Sequence, residues 1–344
     1  PEPAGSAPSS GSLLSRARRR SHLLSWLIAA AALAWLILDA TLGRGLSPAV
    51  ALRLDTLDTG DATCHLLRSD DEAWLWDCGS SWAGAGEVRL PGAVRALGTP
   101  PVRTAVITHA NFDHFNCLPD VAWRLGVRRV LVSPLLLSAA ERAPDGATAA
   151  MLALLRGQGV EIVPVRAGDR YRLGQANVEF LWPAEAFARS MLVNDQSLVA
   201  RIGVNTDAGW RQVLLTGDIQ AAAIASLLGP APAPGQAPTG DRHLLRADVL
   251  ELPHHGAYSR MAAELVDAAA PSVTVQSTGS SRIGMARATD PRWVEPLRAA
   301  RRLTTATDGA VWIEIRRDGS LGTGSQAHAT TSNKEARGDV APGP

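Results

Sequence analysis

Four short segments place histidines and carboxylates at spacings that suit a metal ion or a proton-transfer site. Thr108-His109-Ala110-Asn111-Phe112-Asp113-His114 follows an apolar run and packs two imidazoles, an amide and a carboxylate into one turn. Side chains this close can direct several nitrogen and oxygen donors at one point, as a hard or borderline divalent ion requires. Leu214-Leu215-Thr216-Gly217-Asp218 is an apolar strand that ends, after a glycine, in a carboxylate. Pro253-His254-His255-Gly256 carries adjacent histidines that must point differently, so one faces an ion while the other supports it or meets substrate. Trp76-Asp77-Cys78-Gly79 closes a hairpin, and Asp77 reads there as a turn-fixing carboxylate rather than a ligand. Each segment alone is also what a capped polar turn contains. Four of the eight histidines fall in two of these segments, whereas His22, His65, His243 and His328 lack partners in sequence and read as surface or core residues.

Positioning such groups requires strand ends, and the chain supplies them. Alternating or continuous apolar runs predict strands at Ala49–Leu57, Thr63–Leu67, Ala73–Asp77, Thr104–Thr108, Arg129–Ser133, Glu161–Val165, Val178–Trp182, Ser197–Val204, Gln212–Thr216, Ala247–Leu252, Ser272–Gln276 and Ala310–Arg316. Helical periodicity predicts helices at Ala147–Arg156, Ile219–Leu228, Met261–Ala269 and Pro291–Ala300. Strands followed by strand–helix alternation imply sheets covered by helices in one domain over 49–318. Residues 229–240, rich in proline, glycine and alanine, read as a flexible insertion. Residues 319–344 read as a disordered tail.

The N-terminal region differs in kind. Residues 1–21 form a small-residue, proline-rich segment ending in the basic run Arg16–Arg20. The stretch 22–42 is apolar from Leu23 to Leu38 except for Ser25, and as a helix to Leu42 it would rise about 30 Å, enough to span a bilayer. Trp26 and Trp35 are available as interfacial anchors, and the arginines before the run place the remainder outside the cytoplasm. A signal peptide and a buried core helix are the competing readings. The first residue is proline, which suggests a fragment or a processed product.

Composition excludes several classes. With 34 Lys+Arg against 33 Asp+Glu the net charge is +1, so the chain is no bulk nucleic-acid coat protein. A hydrophobic fraction of 46% excludes disorder throughout. Three cysteines are too few for a disulfide framework, and no CxxC pair offers a zinc knuckle. Cys64 and Cys78 sit on neighbouring predicted strands, so in an oxidising compartment they are expected to be able to form a disulfide. Cys117 reads as a small buried residue.

In this order the segments resemble the metallo-β-lactamase fold, an αββα sandwich, with its HxHxDH turn, Gly-Asp strand end and late histidine. More narrowly, they look like the C-terminal domain of ComEC-type DNA-internalisation competence proteins. The matching stretches are Leu57-Asp-Thr-Gly-Asp61, Asp77-Cys-Gly79, Thr108 to His114, Asn194-Asp-Gln-Ser-Leu-Val199, Leu215-Thr-Gly-Asp218 and Pro253-His-His-Gly256. The resemblance covers about Ala49 to Arg317. Three departures stand out: Asn111 where the fold usually has His, or in the narrower family often Asp, Asn116-Cys117 where it has Gly-Gly, and Thr289-Asp290-Pro291 where it has Gly-His-Pro.

The resemblance implies a metal-dependent hydrolase using one or two divalent ions, Zn²⁺ or Mn²⁺, to activate water. Carried over position by position, one ion takes Asp113, His114, the shared Asp218 and His255; the other takes His109, Asp218 and, weakly, Asn111. Asp113, Asp218 and His254 are the expected catalytic residues; Asn194, Ser197, Asp290 and Arg282 are weaker substrate candidates. Arginines of the late loop, Arg282, Arg287 and Arg292, are expected either to hold phosphates or to form a solvated face. The leading expectation is a phosphodiesterase or nuclease acting on extracytoplasmic, single-stranded DNA during uptake, anchored in the cell membrane, with a channel encoded upstream. The alternatives are hydrolysis of another ester or a lactone, and a decayed domain that only binds DNA or a partner.

Overall fold

Alternation along each strand decides the layers. The computed structural model describes residues 22, 25–35, 46–184, 192–229 and 241–326. It divides into two units, 1–45 and 46–344.

In the larger unit, β1 (Val50–Thr56), β2 (His65–Ser69), β3 (Glu72–Trp76), β4 (Val102–Ile107), β5 (Arg129–Val132) and β6 (Glu161–Pro164) lie in one sheet. β7 (Arg170–Leu173), β8 (Ala176–Trp182), β9 (Val199–Thr206), β10 (Gly209–Leu215), β11 (Val249–Glu251), β12 (Val273–Gln276) and β13 (Arg301–Thr304) form the other. The chain then returns to the first sheet through β14 (Ala310–Arg316) and β15 (Leu321–Gln326), giving the orders β15-β14-β1-β2-β3-β4-β5-β6 and β13-β12-β11-β10-β9-β8-β7.

Successive side chains face opposite sides of a strand. Leu67, Trp74, Trp76 and Val106 therefore meet Phe180, Ile202, Val213 and Leu215 between the sheets. Their neighbours Leu66, Leu75, Ala105 and Ile107 pack outward against helices α1 (Leu90–Ala96), α2 (Leu118–Leu125), α3 (Pro134–Arg142) and α4 (Ala147–Gly157). On the far face, Leu214 and Leu250 pack against α5 (Ala221–Leu228) and α6 (Arg260–Ala269). The result is the expected α/β sandwich of two sheets between helical layers. Strands β3 to β6 run parallel in one sheet and β10 to β13 in the other, so their C-terminal ends gather the loops that carry the chemistry.

Several expectations need correction. The predicted disordered tail from 319 contains β15, which pairs antiparallel with β14 from Ile315↔Leu321 to Ala310↔Gln326; its Gly-Thr-Gly-Ser composition hid a strand held by a neighbour rather than by its own propensity. The predicted helix Pro291–Ala300 is only a 3₁₀ turn at Pro291–Trp293 followed by irregular turns, and the buried Trp293 fastens it through Nε1 to Gly256 O. Strands β7 and β13 and helices α1 to α3 were not expected. Helix α7 (Arg282–Ala288) was not expected either. Cys64, Cys78 and Cys117 are all buried, free thiols. Cys64 and Cys78 are nonetheless neighbours, the Cys64 side chain and then burial raising the Cys78 thiol, but the expected disulfide does not join them.

In the smaller unit residues 25–35 are helical, with Trp26, Leu27, Ile28, Leu33 and Trp35 exposed. Among the described residues no helix is long and apolar enough to cross a membrane, and the rest of the expected span 22–42 lies outside them. The expected insertion falls outside the described residues from 230 to 240.

One glycine is dictated by the site. A Cβ on Gly79 would lie 1.7 Å from the backbone oxygen of Asp113. Gly79→Ala is therefore expected to destabilise the fold by at least about 1–3 kcal/mol through overpacking. It would also push the Asp113 segment outward. A lower urea midpoint at unchanged slope checks this.

Candidate metal centre

Three loops at parallel strand ends converge. After β4, Thr108 leads into a one-turn helix, Phe112–Phe115, that brings His109, Asp113 and His114 together. After β10, Gly217 at φ 53° turns the chain so that Asp218 points back. After β11, the turn Pro253–Gly256 holds His254 and His255 at φ 52° and 53°, a left-handed conformation costly for histidine. Strain of this kind persists only where the surroundings enforce it, and here the His254 N–H donates to Gly217 O.

The donor atoms of His109, His114 and Asp218 lie within 4.8 Å of one another, as do those of Asp113, His114 and His255. His114 Nε2 is 3.2 Å from Asp218 Oδ1 and 4.0 Å from Asp113 Oδ2. His255 Nε2 is 3.2 Å from Asp113 Oδ2 and 3.6 Å from Asp218 Oδ2. Asp113 is the opening of the cluster: its side chain is 40% exposed, whereas that of Asp218 is 4% exposed.

Each of the three histidines is held through Nδ1. His114 Nδ1 donates to Asp77 Oδ2 at 2.7 Å, and His255 Nδ1 donates to Ser277 O at 2.9 Å. Thr108 Oγ1 donates to Asp77 Oδ2 and accepts from His109 Nδ1 at 3.0 Å. All three Nε2 atoms are thereby aimed at the carboxylates, and those of His109 and His114 are buried without a hydrogen bond. Buried nitrogens are rarely left so unless something else satisfies them. Outer hydrogen bonds that fix one ring nitrogen are the usual support of metal-ligating histidines. Two carboxylates and three imidazoles, two of them with an unsatisfied nitrogen, fit a divalent ion such as Zn²⁺ or Mn²⁺.

Electrostatics follow from the packing. Burial, then the neighbouring His114, pull His109 down to about 3, so it is neutral. Burial would lower His114, but Asp218 and Asp77 outweigh it and hold the imidazole well above its ordinary value. Burial would raise Asp218, but His255 and His114 hold it well below the carboxylate range. His255 is also raised: burial is outweighed by Asp218 and Asp113.

These signs fix a pH profile for the metal-free chain. His109 is neutral when folded, so acid costs stability once unfolded histidine titrates below about 6.5. His114 and His255 contribute fully below about 6.5 and lose that contribution as pH rises toward their raised values. Asp218 adds stability that is lost only below about 4. Thermal denaturation in chelator is expected to peak near pH 6.5 and fall on both sides; a midpoint that climbs steadily to pH 9 contradicts this.

The remaining expected residues are placed as follows. Asn111 Nδ2 donates to Asn194 Oδ1 at 2.6 Å, and Ser197 Oγ donates to Asn194 O while accepting from the Asp218 N–H. His254 is half-buried, with Nδ1 3.3 Å from Gln220 Nε2. Asp290 is not brought into the cluster: its carboxylate caps its own turn and binds Arg292, which stacks on Tyr258. Arg287 lies on α7, and its charge, after burial and Asp218, figures among the influences on His254. The side chain of Arg282 lies outside the described residues.

Sequence reasoning missed two groups. His65 and Glu251 are buried partners, Nε2 to Oε1 at 2.8 Å. The signal was present: a carboxylate inside the apolar run Val249-Leu-Glu-Leu252 cannot be buried without a partner. Asn116, which stands where the resemblance expects glycine, makes a paired bond to the backbone N–H and carbonyl of Ser80.

A family model described as the metallo-beta-lactamase superfamily matches residues 57–279, a span that takes in all five donor residues. The chain belongs to the metallo-β-lactamase superfamily. Members of this superfamily are usually metal-dependent hydrolases, and the His/Asp cluster lies where such chemistry needs it. Among solved structures, the metallo-β-lactamase fold protein YhfI from Bacillus subtilis is 13% identical, covering 79% of this chain and 99% of its own, with a TM-score of 0.45. The CmlA β-hydroxylase E377D mutant is 19% identical, covering 72% of this chain and 52% of its own, with a TM-score of 0.42. BJP-1, a subclass B3 metallo-β-lactamase of Bradyrhizobium japonicum, is 14% identical, covering 60% and 76%, with a TM-score of 0.37. Among curated proteins the sequence finds no match.

Proposed function

We propose that this superfamily member is a metal-dependent phosphodiesterase that cleaves single-stranded DNA outside the cytoplasm, the role of the ComEC-type domain its motifs resemble. The observation that carries the hydrolase part is the shared aim of three Nδ1-anchored histidines and two carboxylates. The DNA part rests on the motif order from Leu57 to Gly256. Membrane attachment is supported by the apolar stretch after Arg16–Arg20, whose large described side chains are exposed as a bilayer would cover them.

His109, Asp113, His114, Asp218 and His255 would hold one or two ions. When bound, a divalent ion lowers the pKa of a coordinated water to about 7 and neutralises charge that develops on phosphorus oxygens. The chain's own residues do the rest. Asp113, at the exposed side of the cluster, is the carboxylate placed to receive a proton from the incoming water. His254, lowered by burial, is neutral at pH 7, and with Nδ1 facing the Gln220 amide its Nε2–H can donate a hydrogen bond to the leaving oxygen. Asn194 and Ser197 hold Asn111 and the Asp218 turn in place.

The test is turnover of bis(p-nitrophenyl) phosphate and a single-stranded oligonucleotide, with Mn²⁺ or Zn²⁺ added, beside an aryl lactone. Cleavage of both phosphodiesters is expected. Lactone cleavage alone favours the other hydrolase reading, and oligonucleotide binding without any cleavage favours a binding module.

Asn111 contributes only an amide dipole, so the donor set around His109 lacks one strong ligand. Asn111→His is expected to raise metal occupancy from about one ion toward two and tighten the weaker ion by at least about tenfold. The lost bond to Asn194 costs about 1 kcal/mol. Titration with Mn²⁺ followed by elemental analysis reads both.

A further inference from the structure

The two halves of the metal centre come from different sheets. His109, Asp113 and His114 follow β4 of the eight-stranded sheet, whereas Asp218 and His255 follow β10 and β11 of the seven-stranded sheet. Donor atoms that must meet within a few tenths of an ångström are thus carried by two layers joined mainly through apolar side chains, which have no directional preference. Something directional must set one layer against the other.

We infer that the buried His65–Glu251 pair is that device, a tie between the sheets that positions Asp218 and His255 against the ligands of the other layer. His65 opens β2 in the eight-stranded sheet, where its Nδ1 is 2.8 Å from Thr56 Oγ1 on β1. Its Nε2 donates to Glu251 Oε1 at the end of β11. The other carboxylate oxygen, Oε2, accepts from the N–H groups of both Thr216 and Gly217, at 2.8 and 2.9 Å. Thr216 Oγ1 donates to the Glu251 carbonyl. Gly217 in turn accepts from the His254 N–H. One carboxylate therefore fastens the turn before Asp218, starts the segment leading to His255, and is gripped by an imidazole from the opposite sheet. Every link is buried: His65 is 0% exposed and Glu251 4%.

A pair whose only use was stability would be an odd choice here. Desolvating a carboxylate and its partner usually cancels what their attraction returns, and hydrophobic replacements of both are often neutral or stabilising. The geometry points instead to position, since both oxygens are spent on directional bonds to the ligand-bearing turn. His65 and Glu251 touch no substrate; they act through Asp218 and His255. The inference rests on the metallohydrolase reading.

The experiment uses the full chain and Co²⁺. The double variant His65→Phe/Glu251→Met removes both partners together, so no buried charge is stranded. Its thermal midpoint is expected to fall, because the N–H groups of Thr216 and Gly217 lose their acceptor. Co²⁺ affinity in the folded chain, by chelator competition, is expected to fall about ten- to a hundredfold and the visible d–d spectrum to change. His65→Gln keeps a donor toward Glu251 and is expected to restore the wild-type spectrum and most of the affinity. Should the double variant fail to fold, Glu251→Gln, which keeps the shape and one acceptor oxygen, is expected to show the same spectral change with a smaller loss. A double variant, or in its place Glu251→Gln, that binds Co²⁺ with wild-type affinity and spectrum overturns the tie. A wild-type chain that takes up no Co²⁺ overturns the metallohydrolase reading instead. Amide exchange in the metal-free chain then decides the tie, because faster exchange at Asp218 and 253–256 is expected in the variant and unchanged protection there refutes it.

Discussion

Asp218→Ala is expected to remove bound divalent ion and turnover in one step, a loss of more than about a hundredfold in metal affinity. Changes among residues that merely support a ligand already cost about ten- to a hundredfold. Asp218 is closer to the centre than any such residue: its two oxygens lie 3.2 Å from His114 Nε2 and 3.6 Å from His255 Nε2. It is also the buried carboxylate of the cluster, and without it three crowded imidazoles would have to accept a dication with only the half-exposed Asp113 to balance charge. The fold should survive, because the link that holds the turn uses the Asp218 N–H to Ser197 Oγ, which alanine keeps. The metal-free variant should also lose stability differently with pH. Asp218 is the leading influence raising His114 and His255, so the alkaline fall from about pH 6.5 should flatten in its absence. Elemental analysis, chelator competition and kcat/KM on a phosphodiester read the main result. A variant that keeps its ion and its rate would rule out the metallohydrolase reading and favour a domain that only binds.

Residues that report their own chemistry were legible in the sequence, and residues that act through others were not. The turn from His109 to His114, Asp218 and the His254-His255 pair lie in segments where polar groups crowd the end of an apolar strand, a pattern visible without coordinates. Their order along the chain carried the fold as well, since all twelve expected strands sit within a few residues of β1 to β6, β8 to β12 and β14. His65 and Glu251 escaped because they lie 186 positions apart and only the packing of two sheets makes them neighbours. Strand β15 escaped for a related reason: glycine, threonine and serine give it little propensity of its own, and pairing with β14 supplies what the sequence lacks. Helices α1 and α2 hold proline near their first turn, where it is tolerated, and lie in stretches that read as connections between strands.

Asp77 is where support of the site and support of the fold coincide, and its replacement should be costly to both. The residue sits at φ 55°, fully buried, at the end of β3, a backbone conformation that aspartate and asparagine tolerate better than alanine. Its Oδ1 accepts the Thr108 N–H at 2.8 Å; its Oδ2 accepts Thr108 Oγ1 at 2.9 Å and His114 Nδ1 at 2.7 Å. Asp77→Ala strands three donors in a dry interior and removes the partner of a raised, buried imidazole, for an expected loss of about 3–5 kcal/mol. In the same stroke the His114 ring loses the bond that aims its Nε2, and Thr108 loses the bond that lets its hydroxyl orient His109. Asp77→Asn separates the two effects. The amide keeps one acceptor oxygen and the backbone conformation, so most of the stability should return. It cannot supply the negative charge that helps hold His114, and its NH₂ group faces donors that need acceptors. Metal affinity should therefore remain about ten- to a hundredfold below that of the native chain even where the urea midpoint has largely recovered. Affinity that recovers in step with stability would mean that Asp77 serves the fold alone and that His114 is aimed by its surroundings without it.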